Sequence, residues 1–232
     1  MNKTKIEWLR DPTTGRPGFS INPVKGLCPM HCKTPDGYEY CYAAGERGLY
    51  KRFGWNPEIR FDQTVFFGLP RKPSRVFVGS TIELFGDWVK PEWLQTIFTI
   101  CHQHSEHTFF FLTKQPQNLP REFPENCWVG VSTPNAADAI KANKFICNIK
   151  ASVKFLSIEP MFDWNLFPDT LCGILYGYNW LIFGSQTQPV KHPPKAQVLD
   201  LQSTARALKI PIFVKEPMAS HYNIHRQEFP SK

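Results

Sequence analysis

From about residue 75 the chain alternates short apolar runs with amphipathic or polar segments, a pattern that predicts βα units on a parallel sheet. Arg75-Val76-Phe77-Val78-Gly79-Ser80 reads as a buried strand. Lys90 to His104 reads as a helix, because Pro91 suits a first turn and Trp93, Leu94, Ile97, Phe98 and Cys101 recur at helical spacing. Further strands are predicted at Thr108 to Thr113, Trp128 to Ser132, Val153 to Glu159, Trp180 to Gly184 and Pro211 to Lys215. Helices are expected over Ala136 to Ile146 and Val198 to Leu208. Near the N-terminus, Gly18 to Asn22 reads as a short strand, and the segment after Cys41 as a helix.

These runs end in polar or glycine residues: Asn22, Gly79-Ser80-Thr81, Thr113-Lys114, Ser132-Thr133, Glu159-Pro160, Gly184-Ser185 and Lys215-Glu216. Parallel βα sheets carry their chemistry at the carboxyl ends of their strands, so these residues form a candidate rim. The proline-rich stretches Pro116 to Pro124 and Pro189 to Pro194 read as surface loops. No internal repeat and no phosphate-cradling glycine-rich loop is visible, and one domain over residues 1–232 is expected.

Before the regular part of the pattern lies a cysteine loop, Cys28-Pro29-Met30-His31-Cys32 followed after eight residues by Cys41. Three thiolates with no fourth nearby leave a metal centre one coordination position short, and an open position is where chemistry happens. The other four cysteines, Cys101, Cys127, Cys147 and Cys172, stand singly in or beside apolar stretches, as small buried hydrophobes do. An odd cysteine count without a leading apolar segment argues against a secreted disulfide scaffold and for a reducing cytoplasm. No apolar run is long enough to span a bilayer. The formal charge of +7 and pI near 9.0 fit either a solvated basic surface or a polyanion footprint.

A first strand, a three-cysteine loop, a helix and further βα units resemble the layout of radical S-adenosylmethionine (SAM) enzymes. More narrowly, nearly the whole chain resembles an uncharacterised phage- and prokaryote-associated family of radical-SAM-like proteins. The resemblance is carried by Thr4-Lys5-Ile6-Glu7-Trp8, Asn22 to Gly26, Cys41-Tyr42-Ala43, and Val78-Gly79-Ser80 through Leu84 to Val89. Leu112-Thr113-Lys114, Trp128 to Ser132, Phe155 to Pro160 and Phe213-Val214-Lys215 extend it. It implies an α/β fold, a partial (β/α) barrel of about six to seven parallel strands. It also implies a [4Fe-4S] cluster held by Cys28, Cys32 and Cys41, with SAM on the fourth iron and an external electron donor. In that superfamily, reduction of the cluster cleaves the sulfonium bond and yields a 5′-deoxyadenosyl radical that abstracts hydrogen from substrate.

By the same resemblance, Tyr40 stands near the adenine and Gly79, Ser80 and Thr81 meet the methionine amino group. Ser132 and Glu159 are candidates for the carboxylate and ribose, with Gly184 a further cofactor-binding position. Lys114, Glu159, Lys215 and Glu216 are candidates for substrate contact or proton transfer. Each has a plainer alternative: Tyr40 packing on the loop, Gly79 close packing, Glu159 capping the next segment, Lys114 a solvated strand end. His31 reads as exposed, His102, His104 and His107 as groups suited to a helix C-terminus, and His192 as loop. This chain departs from the common superfamily spacing in its second cysteine gap, where Pro35-Asp36-Gly37 signals a tight turn able to loop out the insertion. The basic balance and a distant likeness to radical SAM photoproduct-repair enzymes point to a nucleic acid or nucleotide-derived substrate. A zinc-stabilised or a cluster-free barrel acting as a binding protein is the alternative.

Overall fold

In a computed structural model, which describes residues 2–45 and 48–231, the βα pattern folds into one eight-stranded sheet flanked by helices. Its strands are β1 (Asn2–Lys3), β2 (Phe19–Ile21), β5 (Arg75–Val78), β6 (Thr108–Thr113), β7 (Cys127–Ser132), β8 (Val153–Ile158), β9 (Trp180–Phe183) and β12 (Ile212–Val214), paired in that order. The seven from β2 to β12 are mutually parallel, and β1 runs antiparallel at the β2 edge. Two small antiparallel ribbons, β3 (Val24–Lys25) with β4 (Arg60–Phe61) and β10 (Gln186–Thr187) with β11 (Val190–Lys191), stand off the sheet. The helices are α1 (Leu49–Arg52), α2 (Pro91–Gln103), α3 (Ala136–Ile146), α4 (Pro168–Leu175), α5 (Lys195–Ala207) and α6 (Met218–Tyr222).

The strand side chains alternate between two cores, as a curved parallel sheet covered on both faces requires. Val76, Phe109, Phe111, Val129, Val131, Leu156, Leu181 and Ile212 point outward to the helices, where they meet Ile97 and Cys101 of α2, Ala139 and Ile146 of α3, and Val198 and Leu201 of α5. Phe77, Phe110, Trp128, Phe155, Trp180, Ile182 and Phe213 point inward and close on Trp8. The Trp8 ring lies 5.5–6.2 Å from the rings of Phe77, Phe110, Phe155 and Trp180 and stops the barrel interior. Arg75, also inward, is buried and forms no ion pair among the described residues. Its guanidinium faces the rings of Phe110, Trp128 and Phe229 at 4.7–4.9 Å and donates to the Trp8 carbonyl at 3.2 Å. Burial pulls its pKa down to about 10. At the β12 edge, Val214 N–H donates to Arg226 O and Glu228 N–H to Ile212 O, so the C-terminal segment covers that edge.

The α2 and α3 helices and the parallel strands match the sequence pattern to within a few residues. The segment after Cys41 differs. Among its described residues it forms turns and one short helix, α1, while Glu46 and Arg47 lie outside the described residues. Its length is taken up by turns that hold the cysteine loop, leaving no room for an amphipathic helix. The expected loop Pro189 to Pro194 begins inside a β-ribbon over residues 186–191, and α4 was not visible in the pattern because Phe167 and Tyr176 at its ends are exposed apolar residues. No helix among the described residues is long and apolar enough to cross a membrane.

Trp8→Ala removes the residue that stops the barrel. It should cost about 3–5 kcal/mol of stability, whereas alanine at exposed Phe67 should change it by under about 0.5 kcal/mol. Chemical denaturation monitored by circular dichroism measures both.

Candidate active site

Parallel pairing in register places inward residues of neighbouring strands at one level, and at the carboxyl ends those residues turn polar. Ser132 of β7 is paired with Ser157 of β8, and the residue following β6, Lys114, continues the same row. Lys114 Nζ donates to Ser132 Oγ at 2.6 Å and lies 5.9 Å from the centre of the Tyr40 ring. One step further along the strands, Glu159, Gly184 and Lys215 form the next row, since Gly184 N–H donates to Ile158 O and Lys215 N–H to Phe183 O. Lys215 and Glu159 form a short, mostly buried ion pair across the intervening Gly184. A Cβ on Gly184 would stand 2.9 Å from Glu159 Cγ, so the missing side chain lets the two outer residues meet.

A cavity of about 570 Å³ opens above these rows. Its wall includes Cys28, Cys32, Cys41, Tyr40, Gly79, Ser80, Thr81, Lys114, Ser132, Glu159 and Lys215, with Ile6, Trp8, Phe77 and Leu112 supplying apolar surface. Nearly all the candidate residues therefore converge on one space. Gly184 does not line it, because the Glu159 side chain covers this glycine. Glu216 does not line it either: its backbone N–H donates to Glu7 Oε2 at 3.2 Å and its carboxylate accepts from Ser220 N–H at 3.2 Å. Gly79 has φ +80°, a left-handed conformation suited to glycine, and this bends the chain off β5 toward the cysteine loop.

The insertion between Cys32 and Cys41 folds back on itself. Thr34 N–H donates to Tyr38 O at 2.8 Å, Gly37 N–H to Thr34 O at 2.9 Å, and Lys33 pairs with Glu39 in an isolated bridge. Tyr40 N–H then donates to Cys32 O at 3.1 Å, which returns Cys41 to the side of Cys32. The Cys32 thiol hydrogen-bonds to Cys41. This bond, together with the backbone N–H groups of Ala44 and Ala43, outweighs burial and pulls the Cys41 pKa down to about 6, while the same bond and burial push Cys32 up. Burial raises Cys28. Tyr40 packs edge-on against Phe162 at 5.6 Å.

The three sulfurs lie farther apart than one small ion needs. Among the described residues, the one set of three metal-type groups within 4.8 Å of one another is His104, Glu106 and His107, at the far end of α2. There His107 Nδ1 accepts from Ser74 N–H, so neutral His107 carries its proton on Nε2 and has no lone pair to offer a metal. Tetrahedral zinc needs thiolates about 3.8 Å apart at Zn–S bonds of about 2.3 Å. Three soft thiol donors at the mouth of one cavity suit a larger iron–sulfur core, and the chemistry of this donor set fits such a group.

Three further features go beyond the sequence reading or depart from it. Glu83 is buried: its carboxylate accepts from Thr113 Oγ1 at 2.7 Å, Lys114 N at 2.8 Å and Phe85 N at 3.0 Å, and its own N–H reaches Cys28 Sγ at 3.4 Å. An acid set inside the apolar run Ile82-Glu83-Leu84-Phe85 was the available signal. His192, placed in a loop by its prolines, stands 2.8 Å from the cavity-lining Ser185 hydroxyl and stacks on His221. Of the four outlying cysteines, Cys101 and Cys127 are buried and face each other, whereas Cys147 is exposed and Cys172 half-buried. Cys147 follows the last turn of α3, where the apolar pattern has run out.

The molecule is an α/β partial barrel built on seven parallel strands. The chain belongs to the family described as "Protein of unknown function (DUF5131)", which it matches over residues 3–225. None of the curated proteins matches it. Two solved structures are similar in fold, both single-residue variants of spore photoproduct lyase. The first, a tyrosine-to-phenylalanine mutant, aligns with TM-score 0.50 and 11% identity, covering 88% of this chain and 77% of its own. The second, a cysteine-to-serine mutant, aligns with TM-score 0.51 and 13% identity, covering 92% and 78%.

Burial raises the pKa of Glu7, and repulsion from Glu159 and Glu216 adds to this against the opposing Glu216 N–H and Lys215. A carboxyl with a raised folded pKa stabilises most below its unfolded value near 4.5, and that contribution is lost as pH rises through the folded value. Glu7→Gln should therefore raise Tm by about 1–3 °C at pH 7.5, with the gain vanishing as pH falls toward about 4.5. Calorimetry across that range reads the difference; a gain independent of pH would contradict the assignment.

Proposed function

We propose that this protein is a radical SAM enzyme acting on a nucleic acid or nucleotide-derived substrate. The observation that carries the proposal is the convergence of Cys28, Cys32 and Cys41 on one cavity at the carboxyl ends of parallel strands. Those cysteines would hold a [4Fe-4S] cluster, and Tyr40, Gly79, Ser80, Thr81 and Ser132 would surround SAM. Bound there, the two cofactors supply one-electron cleavage of a sulfonium bond.

The protein's own part is positioning, exclusion of water and proton management. Lys114, held by the Ser132 hydroxyl, offers a cation for an anionic group such as a carboxylate. The Lys215–Glu159 pair presents a proton-bearing Nζ and a carboxylate to the same space. The apolar wall of Ile6, Trp8, Phe77 and Leu112 keeps water from a reactive intermediate. A polyanionic substrate is supported by the net charge of +7 and by two lysines in the cavity wall.

Anaerobic reconstitution with iron and sulfide should give a brown protein with broad visible absorbance. Cys28→Ala, Cys32→Ala or Cys41→Ala should each abolish it, and Cys147→Ala should leave it intact. With dithionite, the reconstituted protein should release 5′-deoxyadenosine from SAM above a no-enzyme control. A colourless protein with stoichiometric zinc would instead mark a binding module, and a cluster-loaded protein that leaves SAM intact would end the enzyme reading.

Fluorescence anisotropy with single-stranded DNA, duplex DNA and structured RNA tests the polyanion. Binding should weaken about a thousandfold or more between low and moderate salt if several phosphates are neutralised. No binding at low salt to any of the three would point to a small-molecule substrate.

A further inference from the structure

Among the described residues, Cys28 is the one of the three cysteines tied to the barrel by its own hydrogen bonds. Its backbone N–H donates to the Tyr50 hydroxyl at 3.1 Å, and that hydroxyl in turn donates to the Thr81 carbonyl just beyond β5. Its Sγ accepts the Glu83 N–H at 3.4 Å. Glu83 is itself anchored, because its carboxylate holds Thr113 Oγ1 and Lys114 N at the end of β6, and also Phe85 N two residues further along its own loop. Tyr50 is buried, with its ring 5.7 Å from that of Trp55. By contrast, Cys32 and Cys41 hydrogen-bond within their own loop: to each other, between Cys32 O and Tyr40 N, and between Cys41 O and Gly45 N.

We propose that Tyr50 and the Glu83 amide are positioning groups that preset Cys28 as the fixed ligand of the cluster site, onto which the Cys32–Cys41 loop closes. The inference rests on the cluster assigned to these cysteines above. Two physical consequences follow. An amide N–H aimed at a ligating sulfur stabilises the more negative, reduced cluster and raises its reduction potential. A ligand held before the metal arrives loses little entropy on binding, so the latch slows loss of the cluster. The Tyr50 hydroxyl acts through the loop: without it the Cys28 N–H and Thr81 carbonyl lose their shared partner, and the Glu83 N–H to sulfur contact loosens.

Tyr50→Phe keeps the ring against Trp55 and removes only the hydroxyl. After anaerobic reconstitution, it should bind iron and sulfide in the wild-type ratio. It should also show a more negative midpoint potential and release iron to a chelator several-fold faster, while the iron-free proteins melt within a few degrees of each other. A purely structural tyrosine would lower Tm and leave the potential unmoved. Pulsed EPR of the reduced wild-type cluster, with glutamate labelled by nitrogen-15, reads the Glu83 contact with no substitution at all and should detect a coupled nitrogen. If the wild-type protein takes up no cluster, both the cluster assignment and this inference fall. If it holds one, and Tyr50→Phe matches it in potential and iron release or no nitrogen couples, the latch alone is overturned.

Discussion

The parallel ladder is the constraint on which this molecule depends. Because β6, β7 and β8 are paired in register, with Phe110 opposite Trp128 and Trp128 opposite Val153, every inward residue has a neighbour at its own height. The rows built this way change character along the barrel. Aromatic side chains fill the lower rows, and serines, lysines and a glutamate occupy the upper ones. No single strand contains the site. It exists because neighbouring strands reach their polar ends together.

That arrangement sets three chemistries side by side. Thiols enter from a loop ahead of β5, cations rise from the ends of β6 and β12, and aromatic surface lies beneath both. The two cations are held differently. Lys215 is matched by a carboxylate, so its charge is largely cancelled within the wall. Lys114 leans on a hydroxyl and an aromatic ring, and its charge stays available to a ligand. Electrostatics thus divides the cavity into a neutralised side and an anion-seeking side.

Much of this was legible in the sequence. The strand runs were visible because a parallel strand buried on both faces reads as a continuous apolar stretch, as in Phe109-Phe110-Phe111. Polar residues ending those runs located Lys114, Ser132, Glu159 and Lys215 on the rim without any structure. What escaped notice was held by long-range contact. Gly184 looks like a ligand-facing glycine until two flanking strands are seen to reach across it. Glu83 sits in an apolar run, and the approach of β6 supplies the hydroxyl and the Lys114 amide that help make its burial tolerable. Tyr50 lies far from Cys28 along the chain, in a segment whose pattern suggested an ordinary helix.

The folded insertion of the cysteine loop alters what residue spacing means. The bond from Tyr40 N–H to Cys32 O closes a small ring, and everything from Lys33 to Glu39 hangs outside the path that connects the two ligands. Counted along the covalent chain, Cys32 and Cys41 are remote partners; counted through that bond, they are near neighbours. Such a side loop could lengthen or shorten freely while the hydrogen bond at its neck persists, because the neck sets the separation of the sulfurs. In loops of this kind a cysteine motif is defined by its topology, and a fixed count of intervening residues would pass over it.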